Sequence, residues 1–230
     1  MMRWRFVLWL VMAAAVFLTG ASPEADHFRI TAAFTVKQKE GDKGQLVKGR
    51  LFYDVKVNKL CYQIHFPEPE YLVFKDSLLY RFSAEGVFLE KKEVVYHPTF
   101  STYALVLNRN LDDLGLKQIG YTAAGLEMQG DSVAITLWEP PANLDDKLGK
   151  VYLSHKRKVI NGSVIYGPKG DVVAKEFYQQ VEVIEGMPVP VEKLTILYRD
   201  EGKQLTITKL SNVQFDELDH EDLYNFPLPD

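Results

Sequence analysis

The chain has 230 residues, of which 47% are hydrophobic and 25% charged, and this ordinary globular composition excludes disordered, collagen-like and coiled-coil proteins. Its formal net charge of −4 argues against nucleic-acid binding, because a basic surface supplies most of that affinity. The single cysteine, Cys61, excludes a disulfide within the chain and a multi-cysteine zinc site.

Residues 1–21 have the layout of a cleavable secretory signal peptide. Two arginines near the start are followed by an uncharged apolar run over 6–18 and by small residues up to Ala21. This run is shorter than the roughly 20 residues of a membrane-spanning helix, so we expect cleavage after Ala21 rather than an uncleaved anchor. No cysteine follows the run, so the protein is expected to be exported without a lipid anchor.

Period-two alternation of apolar and polar residues dominates the rest of the chain and predicts β-strands. It is clearest over 47–55, 60–66 and 191–198, which are rich in Val, Ile, Tyr and Phe. Short turns such as 39–44 separate the runs, and short connections join antiparallel neighbours. We therefore predict that 22–230 form a single, mainly β domain.

A few segments depart from this alternation. The best helical segment is 99–116, with an interruption near 108–110. The acidic stretch 216–222 lacks the pattern of a calcium-binding loop, which favours a solvated turn before a final strand. The basic cluster 155–158 could touch anionic lipid headgroups, but the sequence favours a solvated loop or strand end.

The sequence contains no recognisable catalytic motif. Its five histidines show no zinc-ligand spacing, and it has no G-x-S-x-G elbow, P-loop or G-x-G-x-x-G. Cys61 lies within a predicted strand, where burial would suit a free thiol to an oxidising compartment. We expect a protein that is not an enzyme and that needs neither a metal nor a cofactor.

The chain contains many large apolar and aromatic side chains, and a folded protein must bury much of their surface. The chain has 13 Phe and 12 Tyr, and residues 71–74 (Tyr-Leu-Val-Phe) are apolar on both faces of their strand. A sheet needs a second layer or a ligand against each apolar face. This pattern predicts a curved sheet that encloses contents, and a closed β-sandwich with a self-filled core is the alternative that alternation leaves open.

Several stretches resemble one known family when they are taken in order. Gly49-x-Leu51-Phe52 leads into the segment 56–67, which ends in His65-Phe66-Pro67, and an apolar strand follows over 71–80. Upstream, 28–37 is similar to that family's first strand, and downstream, 223–229 is similar to its F-x-x-P ending. These stretches resemble the periplasmic outer-membrane lipoprotein carriers, the LolA-like proteins.

The resemblance implies a fold and a function. The fold would be an open, strongly curved antiparallel half-barrel with one or two short helices covering its concave face. The function would be to shield the acyl chains of lipoproteins, or of another amphiphilic lipid, on the way across the periplasm to the outer membrane. An inner-membrane donor and an outer-membrane acceptor would be transient partners, and the carrier would be a monomer.

The resemblance and the alternation together predict the residues that line the lipid-binding cavity. They are the inward-facing apolar residues of the second to fourth strands, namely Leu51, Tyr53, Leu60, Tyr62, Ile64, Leu72 and Phe74. For each of them, plain core packing is the alternative.

The sequence also departs from the family. The arginine that contacts the lid helices in that family falls on Lys56 when counted back from Pro67, and on Val55 when counted from Gly49. Alternation favours an inward-facing Val55, and a lysine lacks the guanidinium fork. The family's N-terminal helix is also largely missing, which keeps open an envelope interaction or sensing module with a self-filled core and no lipid cargo.

Overall fold

The computed structural model describes residues 27–94, 98–199 and 202–229. Within these ranges the chain is mostly β and forms one antiparallel sheet of 13 strands. The strands are β1 (Arg29–Glu40), β2 (Lys43–Asp54), β3 (Lys59–Phe66), β4 (Glu70–Lys75), β5 (Leu78–Ser83), β6 (Phe88–Glu93), β7 (Thr122–Gln129), β8 (Val133–Glu139), β9 (Val151–Lys156), β10 (Val159–Tyr166), β11 (Val172–Ile184), β12 (Met187–Arg199) and β13 (Gly202–Phe215). The predicted signal peptide, 1–21, lies outside the described residues.

The order of the strands is β6-β5-β4-β3-β2-β1-β13-β12-β11-β10-β9-β8-β7. Sequence neighbours pair within each half, and the pairing of β1 with β13 joins the two halves. The sheet ends at β6 and β7, so it is open and not closed into a barrel. Buried side chains from both halves belong to one cluster, which requires a curved sheet with this face concave. The predicted open half-barrel is confirmed.

Helix α1 (Thr102–Leu107) covers the concave face. Ser101 caps it, because its side chain accepts a hydrogen bond from the backbone N–H of Ala104 at 3.1 Å. The helix is shorter than the segment predicted over 99–116, and it ends at the interruption predicted near 108–110. The chain leaves the helical conformation at Arg109, whose φ is +55°, and helical hydrogen bonding resumes only in a 3-10 turn over Leu116–Ile119.

The C-terminal segment covers the convex face of β2 to β5. Helix α2 (Glu221–Tyr224) and the residues after it place three side chains, Leu223, Tyr224 and Phe226, against Phe52 and the neighbouring strands. The predicted final strand is therefore wrong, because the segment packs across the sheet and adds no edge to it. This packing explains why 71–74 is apolar on both faces.

Cys61 belongs to this convex core and is fully buried on β3. Burial raises the pKa of its thiol to about 12. The thiolate is the reactive form, so a thiol with this pKa is inert near neutral pH.

Arg29 attaches the C-terminal segment to the sheet. Its Nε donates to Asp54 at 2.7 Å, and its Nη2 donates to Glu221 at 2.9 Å. The guanidinium also lies 4.6 Å from the ring centroid of Tyr224. The sequence suggested a purely solvated stretch over 216–222, yet Asp216 accepts hydrogen bonds from the backbone N–H of Phe28 and of Arg29 at 2.9 and 3.1 Å.

We expect Arg29→Met to lower the free energy of unfolding by about 3–5 kcal/mol, because it leaves the buried Asp54 carboxylate without its cation. Urea denaturation measures this loss. Arg81→Met is the matched control, because it breaks an exposed pair with Glu70 that contributes about 1 kcal/mol or less. If both variants lose the same free energy of unfolding, Arg29 does not have the proposed role of neutralising the buried Asp54 carboxylate.

The Arg29–Glu221 pair also predicts a dependence of stability on pH. The hydrogen bonds from Arg29 lower the pKa of Glu221 below its ordinary value of 4.5. The contribution of the carboxylate is therefore complete above that value and is lost as the pH falls through the lowered pKa. We expect Glu221→Gln to destabilise the protein at about pH 6 and to have a smaller effect at about pH 3. If the difference in free energy of unfolding between wild type and Glu221→Gln does not change with pH, this prediction is wrong.

Candidate binding site on the concave face

Strands β2, β3 and β4 bring all seven predicted lining residues together on the concave face. In the register of the sheet, Leu51 pairs with Tyr62, and Tyr62 with Leu72. The other four predicted residues either belong to the concave core or pack against it; they are Tyr53, Leu60, Ile64 and Phe74. The alternation of the strands therefore gives one continuous apolar surface.

Helix α1 closes over part of this surface. Its residues from Tyr103 to Leu107 are all buried in the concave core. Burial raises the pKa of Tyr103 to about 12, and a hydrogen bond with Tyr62 offsets part of that rise. Beside it, the ring of Tyr62 makes edge contacts with Phe34 and Phe74 at 5.4 and 6.0 Å between centroids. Leu51, Tyr53 and Leu60 are completely buried in this arrangement, which is a closed one.

Two cavities lie beside the predicted lining residues on the concave face. The first has a volume of about 320 Å³ and lies beside α1, where Tyr62 and Tyr103 meet Lys193 and Leu210. The second has a volume of about 340 Å³ and is lined by Ile64 and Leu72 among other residues. The cavities thus reach three of the seven predicted residues, and the other four serve as core beneath or beside the cover.

A polar network ties the start of α1 to the far half of the sheet. Lys193 Nζ on β12 lies 3.0 Å from Glu176 Oε1 and 3.4 Å from Thr102 Oγ1. Tyr178 donates its hydroxyl proton to Glu176 at 3.0 Å. Burial, followed by the charge of Glu176, raises the pKa of Tyr178 well above its ordinary value. These residues hold α1 in place by directed bonds as well as by apolar packing.

Sequence analysis missed Lys193 and Glu176. The available signal was a charged side chain at an inward position of an otherwise apolar, alternating strand. Such a residue must be paired when the strand is buried. The sequence could not supply the partner, because the pairing depends on the register between β11 and β12 and on the position of α1.

Lys56, the predicted lid contact, lies in the exposed turn after β2. Its Nζ sits 3.5 Å from the ring centroid of Phe28, in a cation–π contact that does not involve α1. Val55 instead packs against the concave core, in line with alternation. Lys193, from the opposite half of the sheet, makes a polar contact with the start of the cover helix.

A metal site needs a cluster of ligating side chains, and a membrane-spanning helix needs a long apolar segment. The described ranges contain no cluster of three His, Cys, Asp or Glu side chains arranged to hold a metal ion. No helix in those ranges is long and apolar enough to span a bilayer.

Comparison with known proteins identifies the fold. No family model and no curated protein matches the sequence. Among solved structures, a LolA superfamily protein from Nitrosomonas europaea matches with a TM-score of 0.57 at 11% identity, over 87% of this chain and 94% of the other. A DUF1329 family protein from Desulfovibrio piger matches with a TM-score of 0.57 at 15% identity, over 95% of this chain and 94% of the other.

A third solved structure is a domain named for outer membrane lipoprotein sorting, from Vibrio parahaemolyticus. It matches with a TM-score of 0.56 at 12% identity, over 86% of this chain and 89% of the other. Likeness at this level of identity shows a shared fold. The chain therefore shares the overall fold of these LolA-like structures.

We expect Lys193→Met to speed amide hydrogen exchange across α1 by about tenfold, because it removes a charge-assisted contact of the cover helix. Hydrogen-exchange mass spectrometry of the peptide that contains 102–107 measures the change. Lys209→Met is the matched control, since Lys209 pairs with Glu192 at 2.9 Å on the other face of the same strands. Unchanged exchange in Lys193→Met would show that apolar packing alone holds the helix.

Proposed function

Because the chain has a LolA-like fold, we propose that it is a carrier that shields the acyl chains of lipoproteins, or of a related amphiphile, on its concave face. The observation that carries this proposal is the apolar surface beneath α1. A helix of six residues covers it, and unfilled volume remains at two places on the same face. The acyl chain would enter where α1 now lies and would join the two cavities.

The energy of burial supports this proposal. A palmitoyl chain has about 14 methylene groups, each worth about 0.8 kcal/mol when buried, for a gross gain on the order of 10 kcal/mol. Displacing α1 exposes its buried side chains and costs part of that gain. A carrier must release its cargo, so a cover that competes with the cargo for one surface suits the task better than a permanently open cavity.

The proposal extends to location and partners. The signal-like segment 1–21 favours export, and an aqueous periplasm is where an acyl chain needs shielding. An inner-membrane donor would load the carrier and an outer-membrane acceptor would unload it, with the carrier acting as a monomer. The activity involves no covalent step, which agrees with the lack of a catalytic motif in the sequence.

A second candidate function is an envelope interaction or sensing module without lipid cargo. The specific observation in its favour is that Leu51, Tyr53 and Leu60 are completely buried and that the cover helix fills the surface above them. In that case α1 would be a permanent part of the core.

The two functions differ in the response to an acyl chain. We expect the purified full chain to form a one-to-one complex with a palmitoylated tripeptide and not with the same peptide lacking the acyl group. Native mass spectrometry detects the complex. Leu72→Gln, which places an amide in the second cavity, should weaken binding by about tenfold.

Leu126→Gln is the matched control, because Leu126 is 70% exposed on the edge strand β7. It should leave the affinity for the palmitoylated peptide unchanged, and circular dichroism checks that both variants are folded. Failure of the folded wild-type protein to take up the acylated peptide would favour the interaction module.

A further inference from the structure

A third and larger cavity, of about 740 Å³, lies away from Tyr62 and Ile64 at one end of the sheet. The tips of two neighbouring hairpins form one wall of this cavity. One tip is the β7–β8 turn, which contains Asp131, and the other is the β9–β10 turn, which contains Arg157. The backbone N–H of Arg157 donates to the carbonyl of Ser132 at 3.0 Å and fixes the two tips against each other. The segment that follows α1 forms the opposite wall.

The floor of this cavity is apolar and contains an unsatisfied donor. Met128, Ala134 and Trp138 line it, and Trp138 is only 6% exposed. The indole Nε1–H of Trp138 has no hydrogen-bond partner within the described part of the chain. A buried donor without a partner is unfavourable, so a ligand that brings an acceptor to it gains affinity.

The rim carries charges of both signs. Asp113 is already satisfied, since it accepts from the N–H of Gly115 at 3.0 Å and lies 3.5 Å from Lys117 Nζ. Two cations, Arg157 and Lys158, remain without an ion pair among the described residues.

Two carboxylates on the same rim, Asp112 and Asp131, likewise have no ion-pair partner within the described ranges. The rim therefore offers two free cations and two free anions above an apolar floor. A purely anionic ligand would meet the carboxylates, and a purely cationic one would meet Arg157 and Lys158. A zwitterion satisfies both pairs.

The backbone fixes where the two cations stand. Arg157 and Lys158 both have positive φ, +52° and +68°, and they form the two-residue turn between β9 and β10. Behind them, His155 Nε2 lies 2.8 Å from the carbonyl oxygen of Asp112, which ties this hairpin to the segment after α1. Asp112 therefore faces the two cations across the opening, and Asp131 stands beside them on the neighbouring hairpin tip.

We propose that this cavity binds the zwitterionic headgroup of an amphiphile, a phosphodiester linked to an ammonium group. Arg157 and Lys158 take the phosphate, Asp112 and Asp131 take the ammonium, and Trp138 with its apolar neighbours packs against the first carbons of the chains. The lipid nature of the ligand rests on the proposed function. The headgroup would also contact the segment that continues from α1, which places recognition next to the cover of the acyl surface.

The test uses the full chain carrying Trp4→Phe and Trp9→Phe, so that Trp138 is its only tryptophan. Trp138 fluorescence and calorimetry follow titrations with four probes, namely dihexanoyl phosphatidylethanolamine below its micelle concentration, dihexanoyl phosphatidylglycerol, glycerophosphoethanolamine and inorganic phosphate. We expect the first probe to bind at least about tenfold more tightly than each of the others. Equal binding of inorganic phosphate would reveal a simple anion site, and no binding of any probe would also overturn the inference.

Three variants assign the contacts. The double variant Arg157→Gln and Lys158→Gln should lower the affinity for both dihexanoyl lipids by about tenfold or more, because it removes the two cations that contact the phosphate. Asp131→Asn should lower the affinity for the phosphatidylethanolamine and leave the affinity for the phosphatidylglycerol unchanged. Trp138→Phe, measured by calorimetry, removes the N–H and should lower affinity about threefold to tenfold. Phosphatidylethanolamine affinity that is unchanged in all three variants would place the lipid elsewhere.

The control variants replace two exposed cations away from the cavity. Lys147→Gln and Lys169→Gln should leave the affinity for every probe unchanged. Leu72→Gln separates this inference from the proposed function, since it should impair capture of the palmitoylated peptide and leave the Trp138 response intact. Capture of that peptide without any headgroup response would overturn this inference alone. Headgroup binding without acyl capture would overturn the proposed function alone.

Discussion

The antiparallel pairing of β1 with β13 is the interaction on which the rest of the structure depends. It joins strands that lie at opposite ends of the sequence, with Ile30 opposite Phe215 and Phe34 opposite Leu210. Through this seam the two halves become one sheet, and curvature brings their inner faces into one core. The same seam sets Arg29 within reach of Glu221, so the attachment of the C-terminal segment follows from it.

The two faces of the sheet are covered in physically different ways. On the convex face, the cover is fixed by a guanidinium between two carboxylates, and removal of that cation leaves the buried Asp54 charge unpaired. On the concave face, a six-residue helix packs by apolar contacts, by the polar network around Lys193 and by the hydrogen bond between Tyr103 and Tyr62. Displacing the convex cover breaks the Arg29–Glu221 pair and exposes Leu223, Tyr224 and Phe226, but it leaves Arg29 paired with Asp54. Cavities beside the cover remain on the concave face, which is why the proposed exchange of cargo is assigned to that face.

Local rules predicted a large part of the fold but failed where the chain crosses the sheet. Alternation and short turns place Leu51, Tyr62 and Leu72 side by side, because neighbouring antiparallel strands share a face. Their role in binding stays a prediction. The predicted interruption of the helical segment 99–116 near 108–110 coincides with the positive φ of Arg109, but the part after it forms only a 3-10 turn over Leu116–Ile119. The segment after Asp222 was predicted as a final strand, yet Leu223, Tyr224 and Phe226 pack across the convex core instead.

The family resemblance implied the open half-barrel, whereas the residues themselves determined the mainly β class, the antiparallel pairing of neighbouring strands and the face on which each strand places its apolar side chains. These properties follow from period-two alternation and from short connections, both of which are local. Only the tertiary structure decided that Lys193 meets α1 and that Arg157 faces Asp112 across the cavity floored by Trp138. Such contacts join residues far apart in the sequence, and they depend on strand register and sheet curvature, which no short window of sequence encodes.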